Sequence, residues 1–168
     1  MRFLLHEPAA FLALFRGGVP SALDLDRVDV AQVWALAGLA ALARQNGEPP
    51  LRLHMTGASN ASRFAHAVGL RDVIDDRPAS VAGEPGRTYR LRRVTSLAHV
   101  EQAAREIAEL MLPTEEEEEA RKTIRYVLVE LMRNAIQHSG DPKGGVVAAQ
   151  RMDAGFPGYP RAVVQVAV

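Results

Sequence analysis

The chain has 168 residues, 48% of them hydrophobic and 24% charged, with 20 basic side chains against 20 acidic ones. That length accommodates one ordinary domain or two small ones with a real core. Residues 1–86 carry a net −1 and residues 87–168 a net +1, which argues against a binder held by neutralising nucleic-acid phosphates, and the absence of cysteine excludes disulfides, Cys-ligated zinc, iron–sulfur clusters and thiol catalysis.

The apolar stretches are broken by charge or turn residues well short of membrane-spanning length. Residues 1–18 have a faint signal-peptide character, but His6, Glu7 and Pro8 interrupt the run and no small-residue cleavage site follows. A soluble cytoplasmic protein is the expectation.

In chain order, residues 2–5 and 22–25 are apolar runs of strand length. The spacing of Val30, Val33, Leu36, Ala40 and Leu42/Ala43 predicts a helix over 28–44. Gly47-Glu48-Pro49-Pro50 reads as a turn. Residues 51–55 (Leu-Arg-Leu-His-Met) alternate as a half-buried strand does, and 59–68 reads as a short helix stopped by a C′ glycine at Gly69. Strand, helix, strand, helix with short turns predicts the α/β class, because parallel strands need a crossover helix. Residues 75–87, with two prolines and two glycines, are the expected linker between a domain at 1–74 and a second at 88–168.

Residues 88–94 (TYRLRRV) alternate again and predict a strand. Ser96 is placed to cap a helix over 97–112, which Pro113 ends. Thr114 is placed to cap the next helix, with Glu115 to Glu119 in its first turns. Negative charge there complements the helix dipole, so the run needs no binding partner to explain it. This helix should reach Ser139 and stop at Gly140-Asp141-Pro142. Residues 146–152 and 162–168 then read as two strands joined by a loop at 153–160.

Residues 127–139, VLVELMRNAIQHS, are the informative stretch. At roughly 100° per residue, Glu130, Asn134, Gln137 and His138 share one polar stripe, while Ile124, Val127, Leu128, Leu131 and Ala135 face inward. A carboxylate and a carboxamide one turn apart suit a hard cation such as Mg²⁺, which accepts few protein ligands and keeps water and phosphate oxygens as the rest. In that reading Asn134 supplies the metal oxygen and Glu130 orients or deprotonates a water. Spacing alone does not separate this from a solvated helix face.

The pattern Glu-x-x-x-Asn-Ala-x-x-His-Ser (Glu130, Asn134, Ala135, His138, Ser139) resembles the N-box of the GHKL, or Bergerat-fold, ATPases. That superfamily includes histidine kinases, anti-sigma-factor serine kinases, gyrase B-type enzymes, MutL-type repair proteins and the heat-shock chaperone ATPase. Over residues 88–168 the order strand, helix, N-box helix, two strands also resembles the opening of that fold. The resemblance implies ATP and Mg²⁺ as cofactors. It implies Asn134 as the Mg²⁺ ligand, Glu130 as the residue that polarises the attacking water, and Asn134 with His138 in the cofactor site. In the family, the strand after the N-box runs into Asp-x-Gly-x-Gly, whose aspartate reads the adenine amino group. No such sequence occurs here, and Gly140, Gly144 and Gly145 do not replace it, lacking the Lys-Ser/Thr of a P-loop. The expectation is the truncated front half of a Bergerat-fold domain: an α/β protein whose longer parent is an ATPase or protein kinase, with this fragment binding neither ATP nor Mg²⁺.

The first half resembles a STAS-like domain of the anti-sigma-antagonist kind. The resemblance rests on Leu23-Asp24-Leu25-Asp26, a Leu/Ala-rich helix, the strand LRLHM and a short helix ending in Gly69-Leu70. Phosphorylatable members carry a Ser or Thr at the helix start after the strand. Register places Val33 there, between Gln32 and Trp34, which implies a non-phosphorylatable version. His6, His54, His66 and His99 are scattered without metal-ligand spacing on one helix and read as surface or half-buried residues. A sensor-kinase phospho-acceptor box is missing, and Ser59, Ser62 and Ser139 have no hydrolase-like surroundings.

A protein partner or phosphorylation target is the expected partner, without nucleic acid or membrane. The strand at 162–168 ends in Val-Val-Gln-Val-Ala-Val, an uncharged edge without lysine or proline, which predicts a homodimer through strand pairing. The alternative function is a non-catalytic interaction module acting through its STAS-like surface and sheet edge.

Overall fold

Among the described residues, helices and short β-strands are interspersed, the mixed α/β class expected from the sequence. A computed structural model describes residues 3–5, 8–18, 20–45, 51–77, 87–114, 117–139, 144–152, 154 and 163–168. The turn expected at 47–50, most of the linker at 75–87, the stop at 140–142, all of the 153–160 loop except Ala154, and His6, Glu115, Glu116 and Ala162 lie outside these residues. The chain divides into two units, Met1–Ala82 and Gly83–Val168. Among the described residues no helix is long and apolar enough to cross a membrane.

The first unit runs β1 (Phe3–Leu5), α1 (Pro8–Ala13), β2 (Ala22–Asp24), a single 3₁₀ turn (Leu25–Arg27), β3 (Val28–Ala31), α2 (Val33–Gln45), β4 (Arg52–His54), α3 (Asn60–Ala67) and α4 (Leu70–Ile74). Strand β1 pairs with β3 and β2 with β4, both in parallel. Each pair is therefore bridged by a crossover containing helix, as parallel strands require. Leu25, Val28, Val33, Leu36, Leu39, Val68 and Leu70 have no exposed surface and form the core. The alternation at 51–55 appears as expected: Leu51 and Met55 are buried, whereas Arg52 and His54 point to solvent.

The helix expected over 28–44 is corrected at its front. Val28–Ala31 is strand, and the helix starts only at Val33. Val28 and Val30 are β-branched and find ladder partners in Phe3 and Leu4, so pairing overrides the helical period that Val30 fits by coincidence. Ser59 caps α3 by accepting the Ser62 amide at 3.0 Å. Gly69 takes φ +78°, the left-handed geometry that ends α3 and starts α4, a helix the composition did not announce. Asp75 and Arg77 fold back onto α4 through the Asp75 amide to the Arg71 carbonyl and the Arg77 amide to the Asp72 carbonyl, both 2.8 Å.

The second unit runs β5 (Thr88–Val94), α5 (Leu97–Met111), α6 (Glu118–Ser139), β6 (Gly145–Met152) and β7 (Val163–Ala167). Its sheet is antiparallel in the order β5-β6-β7, so consecutive strands β6 and β7 are neighbours while β5 reaches β6 across both helices. Both helices pack on one face of the sheet. Val100, Ala103, Ala104 and Ile107 of α5 and Leu128 and Met132 of α6 cluster with Tyr89, Val94, Val147 and Ala149 of the strands. Ser96 caps α5, its hydroxyl oxygen accepting the His99 amide at 3.3 Å.

Helix α6 begins at Glu118, with Glu118 and Glu119 in its first turn, and Glu115 and Glu116 of the expected first turns lie outside the described residues. Thr114 stands at this start: its carbonyl accepts the Glu117 amide at 3.3 Å, and its hydroxyl and amide donate to the Glu117 carboxylate at 2.6 and 3.3 Å. These hydrogen bonds from Thr114 hold the Glu117 carboxyl below the usual carboxylate range. Arg121 ties the connection together by donating to the carbonyls of Leu112 (3.1 Å) and Thr114 (2.6 Å) and to the Glu118 carboxylate (2.9 Å). At the far end of α6, Gly144 takes φ +75° with its α-carbon pressed against the end of β5: a Cβ there would lie 2.1 Å from the Val94 carbonyl oxygen.

Candidate functional sites

Helix α6 runs for 22 residues without Gly or Pro. Ile124, Leu128, Met132 and Ile136 recur every four residues and face the core, with Met132 at 0% exposure. Two of the positions expected to face inward do not: Val127 is 49% and Leu131 52% exposed, and the adjacent Tyr126 is 69% exposed. The helix carries two overlapping apolar stripes, 124/128/132/136 and 127/131. Only the first can meet α5 and the sheet at once, so the second is turned to solvent.

The polar stripe lies on that solvent side. Asn134, Gln137 and His138 are exposed and Glu130 is half-buried. Glu130 and Asn134 thus sit one turn apart on the outward face, beside the exposed Val127 and Leu131. The Glu130 carboxylate accepts a hydrogen bond from the Arg133 guanidinium at 3.0 Å. Among the described residues, no other element brings a polar side chain within hydrogen-bond distance of Glu130 or Asn134. The face therefore offers two oxygen donors from one helix, open to a ligand and bordered by apolar side chains.

A second cluster escaped the sequence reading. Asp24, at the end of β2, is the direct register partner of His54, at the end of β4, and Asp26 follows in the 3₁₀ turn. Ligand atoms of these three side chains lie within 4.8 Å of one another. The signal was present in the Leu-Asp-Leu-Asp run, but only the β2–β4 pairing brings His54 to it.

Asp26 is the centre of this cluster, its side chain only 13% exposed. It accepts from the Thr56 amide (2.9 Å), the Thr56 hydroxyl (2.8 Å) and the Ala58 amide (3.2 Å). Asp24 accepts the Asp26 amide at 3.0 Å and pairs with Arg27 at 3.3 Å. Beside them Ser59 donates to the Leu25 carbonyl at 2.8 Å, and buried Ser62 accepts the Gly57 amide at 2.9 Å. The arrangement clamps the β4–α3 loop to the turn after β2.

Desolvation opposes the Asp26 charge, but hydrogen bonds from Ser62, Thr56 and Ala58 outweigh it and hold the carboxyl well below the usual carboxylate range. A folded-state value below the unfolded value of about 3.9 means that the clamp contributes fully above that pH and is lost as pH falls toward the folded value. The first unit should therefore lose stability on acidification below about pH 4. In Asp26→Asn the loss should be smaller, on a lower plateau at neutral pH. Urea melts at a series of pH values check this, and parallel curves for the two proteins would refute it.

At the start of α2, the position expected for a phosphoacceptor is Val33, which is fully buried and has no hydroxyl. His66 lies against the Met55 carbonyl at 3.0 Å and His99 against the Thr95 hydroxyl at 3.1 Å, so both have ordinary local partners. In comparisons with known proteins, no family model, no curated protein and no solved structure matches the chain.

Proposed function

We propose that residues 88–168 are the front part of a GHKL-type ATP-binding domain, preceded by a STAS-like regulatory domain, in a cytoplasmic signalling protein. The observation that carries this reading is the outward placement of Glu130 and Asn134, one turn apart on α6, in a unit whose elements follow the order β5, α5, α6, β6, β7. Two oxygen donors from one helix fit a magnesium ion that takes its remaining ligands from phosphate and water, and do not fit one caged by protein alone. Bound there, Mg²⁺ would neutralise phosphate charge. Asn134 would hold it, His138 would lie beside the nucleotide, and Glu130, once released by Arg133, would orient a water. The parent would transfer the γ-phosphate to a protein or switch conformation with nucleotide.

Titration calorimetry with Mg·ATP tests the reading. The 168-residue chain should give no measurable heat at low-micromolar concentration, since its sequence lacks the adenine-reading Asp-x-Gly-x-Gly. In a longer form that carries Asp-x-Gly-x-Gly, Asn134→Ala should abolish Mg-dependent binding. Glu130→Ala should spare binding and lower any hydrolysis by about 100-fold or more. Binding by the longer form that survives Asn134→Ala would overturn the assignment.

The edge of the sheet favours a second reading, a non-catalytic interaction module. Strand β7 is the outer strand of the described sheet, its five residues are uncharged, and none is proline. Such an edge templates pairing with another chain. A two-fold axis through Gln165 would set Val164 against Val166 of a second copy, so the edge is self-complementary. Light scattering at micromolar concentration should give a dimer mass. Val163→Lys, placed away from the core that Val164 and Val166 touch, should return it to monomer. A monomer mass for the unaltered chain would remove the idea.

A further inference from the structure

We draw no further inference here: the strongest candidate, the Asp24–Asp26–His54 cluster at the carboxyl ends of β2 and β4, carries nothing because protein amides and hydroxyls already occupy the Asp26 oxygens, Arg27 holds Asp24, and no second observation points to an ion.

Discussion

Met132→Ala should destabilise the second unit by about 2–5 kcal/mol, whereas Leu131→Ala, one residue earlier, should change it by about 0.5 kcal/mol or less. Met132 has no exposed surface and sits among Val100, Ile107, Leu128 and the sheet residues Val147 and Ala149. Truncating it removes buried methylenes and leaves a cavity that surrounding helices and strands fill only in part. Leu131 is half-exposed, turned about 100° around α6 from Met132 toward solvent, so shortening it uncovers little and empties nothing. The contrast tests the rotation of the helix directly. Urea melts followed by circular dichroism suffice, and equal losses for the two variants would show that α6 is turned differently. The same rotation puts Asn134 outward, so the stability pair also tests the geometry behind the nucleotide-site proposal.

Gly144→Ala should cost about 3 kcal/mol or more, while Gly145→Ala should be close to neutral. Two effects coincide at Gly144. Its φ of +75° is strained for any residue with a Cβ, and the new methyl would lie 2.1 Å from the Val94 carbonyl oxygen and 3.0 Å from the Thr95 α-carbon. These neighbours are backbone and cannot rotate aside. At Gly145 the added Cβ would meet the Val94 and Ile136 side chains at 3.6 and 3.8 Å, an ordinary contact. Thermal melts of the two variants against the unaltered protein give the comparison. A mild Gly144 variant would mean that the β5 and β6 ends stand further apart.

Strand β5, helix α5 and its Ser96 cap, and the strand alternation at 51–55 were legible because each carries a local signal: an alternating run, a capping hydroxyl, a terminating proline. The front of α2 was not. Val28–Ala31 satisfies both periods, and only its partner β1, distant in sequence, decides between them. The inward face of α6 failed for a related reason, since two apolar stripes overlap and tertiary packing selects one. Glu130, Asn134 and His138 were found from spacing and resemblance, and all three lie on the solvent side of α6. The Asp26 clamp could not be found that way. Its donors come from residues 56–62, and the contacts exist only once β2 and β4 lie side by side.

The antiparallel sheet of the second unit has a kinetic consequence. Its central strand, β6, pairs with β7 across a short connection but with β5 only after the whole α5–α6 hairpin has been spanned. Closing the larger loop costs more chain entropy, so the β5–β6 ladder should form late, after the two helices have met and carried β5 toward its partner. During synthesis, β5 emerges first and must wait for β6 with Tyr89 and Val94 still unburied. In that interval the α5–α6 hairpin, which packs on those side chains in the folded unit, is the cover they meet first. The speed with which α5 and α6 collapse onto β5 therefore sets how long the nascent chain is open to aggregation.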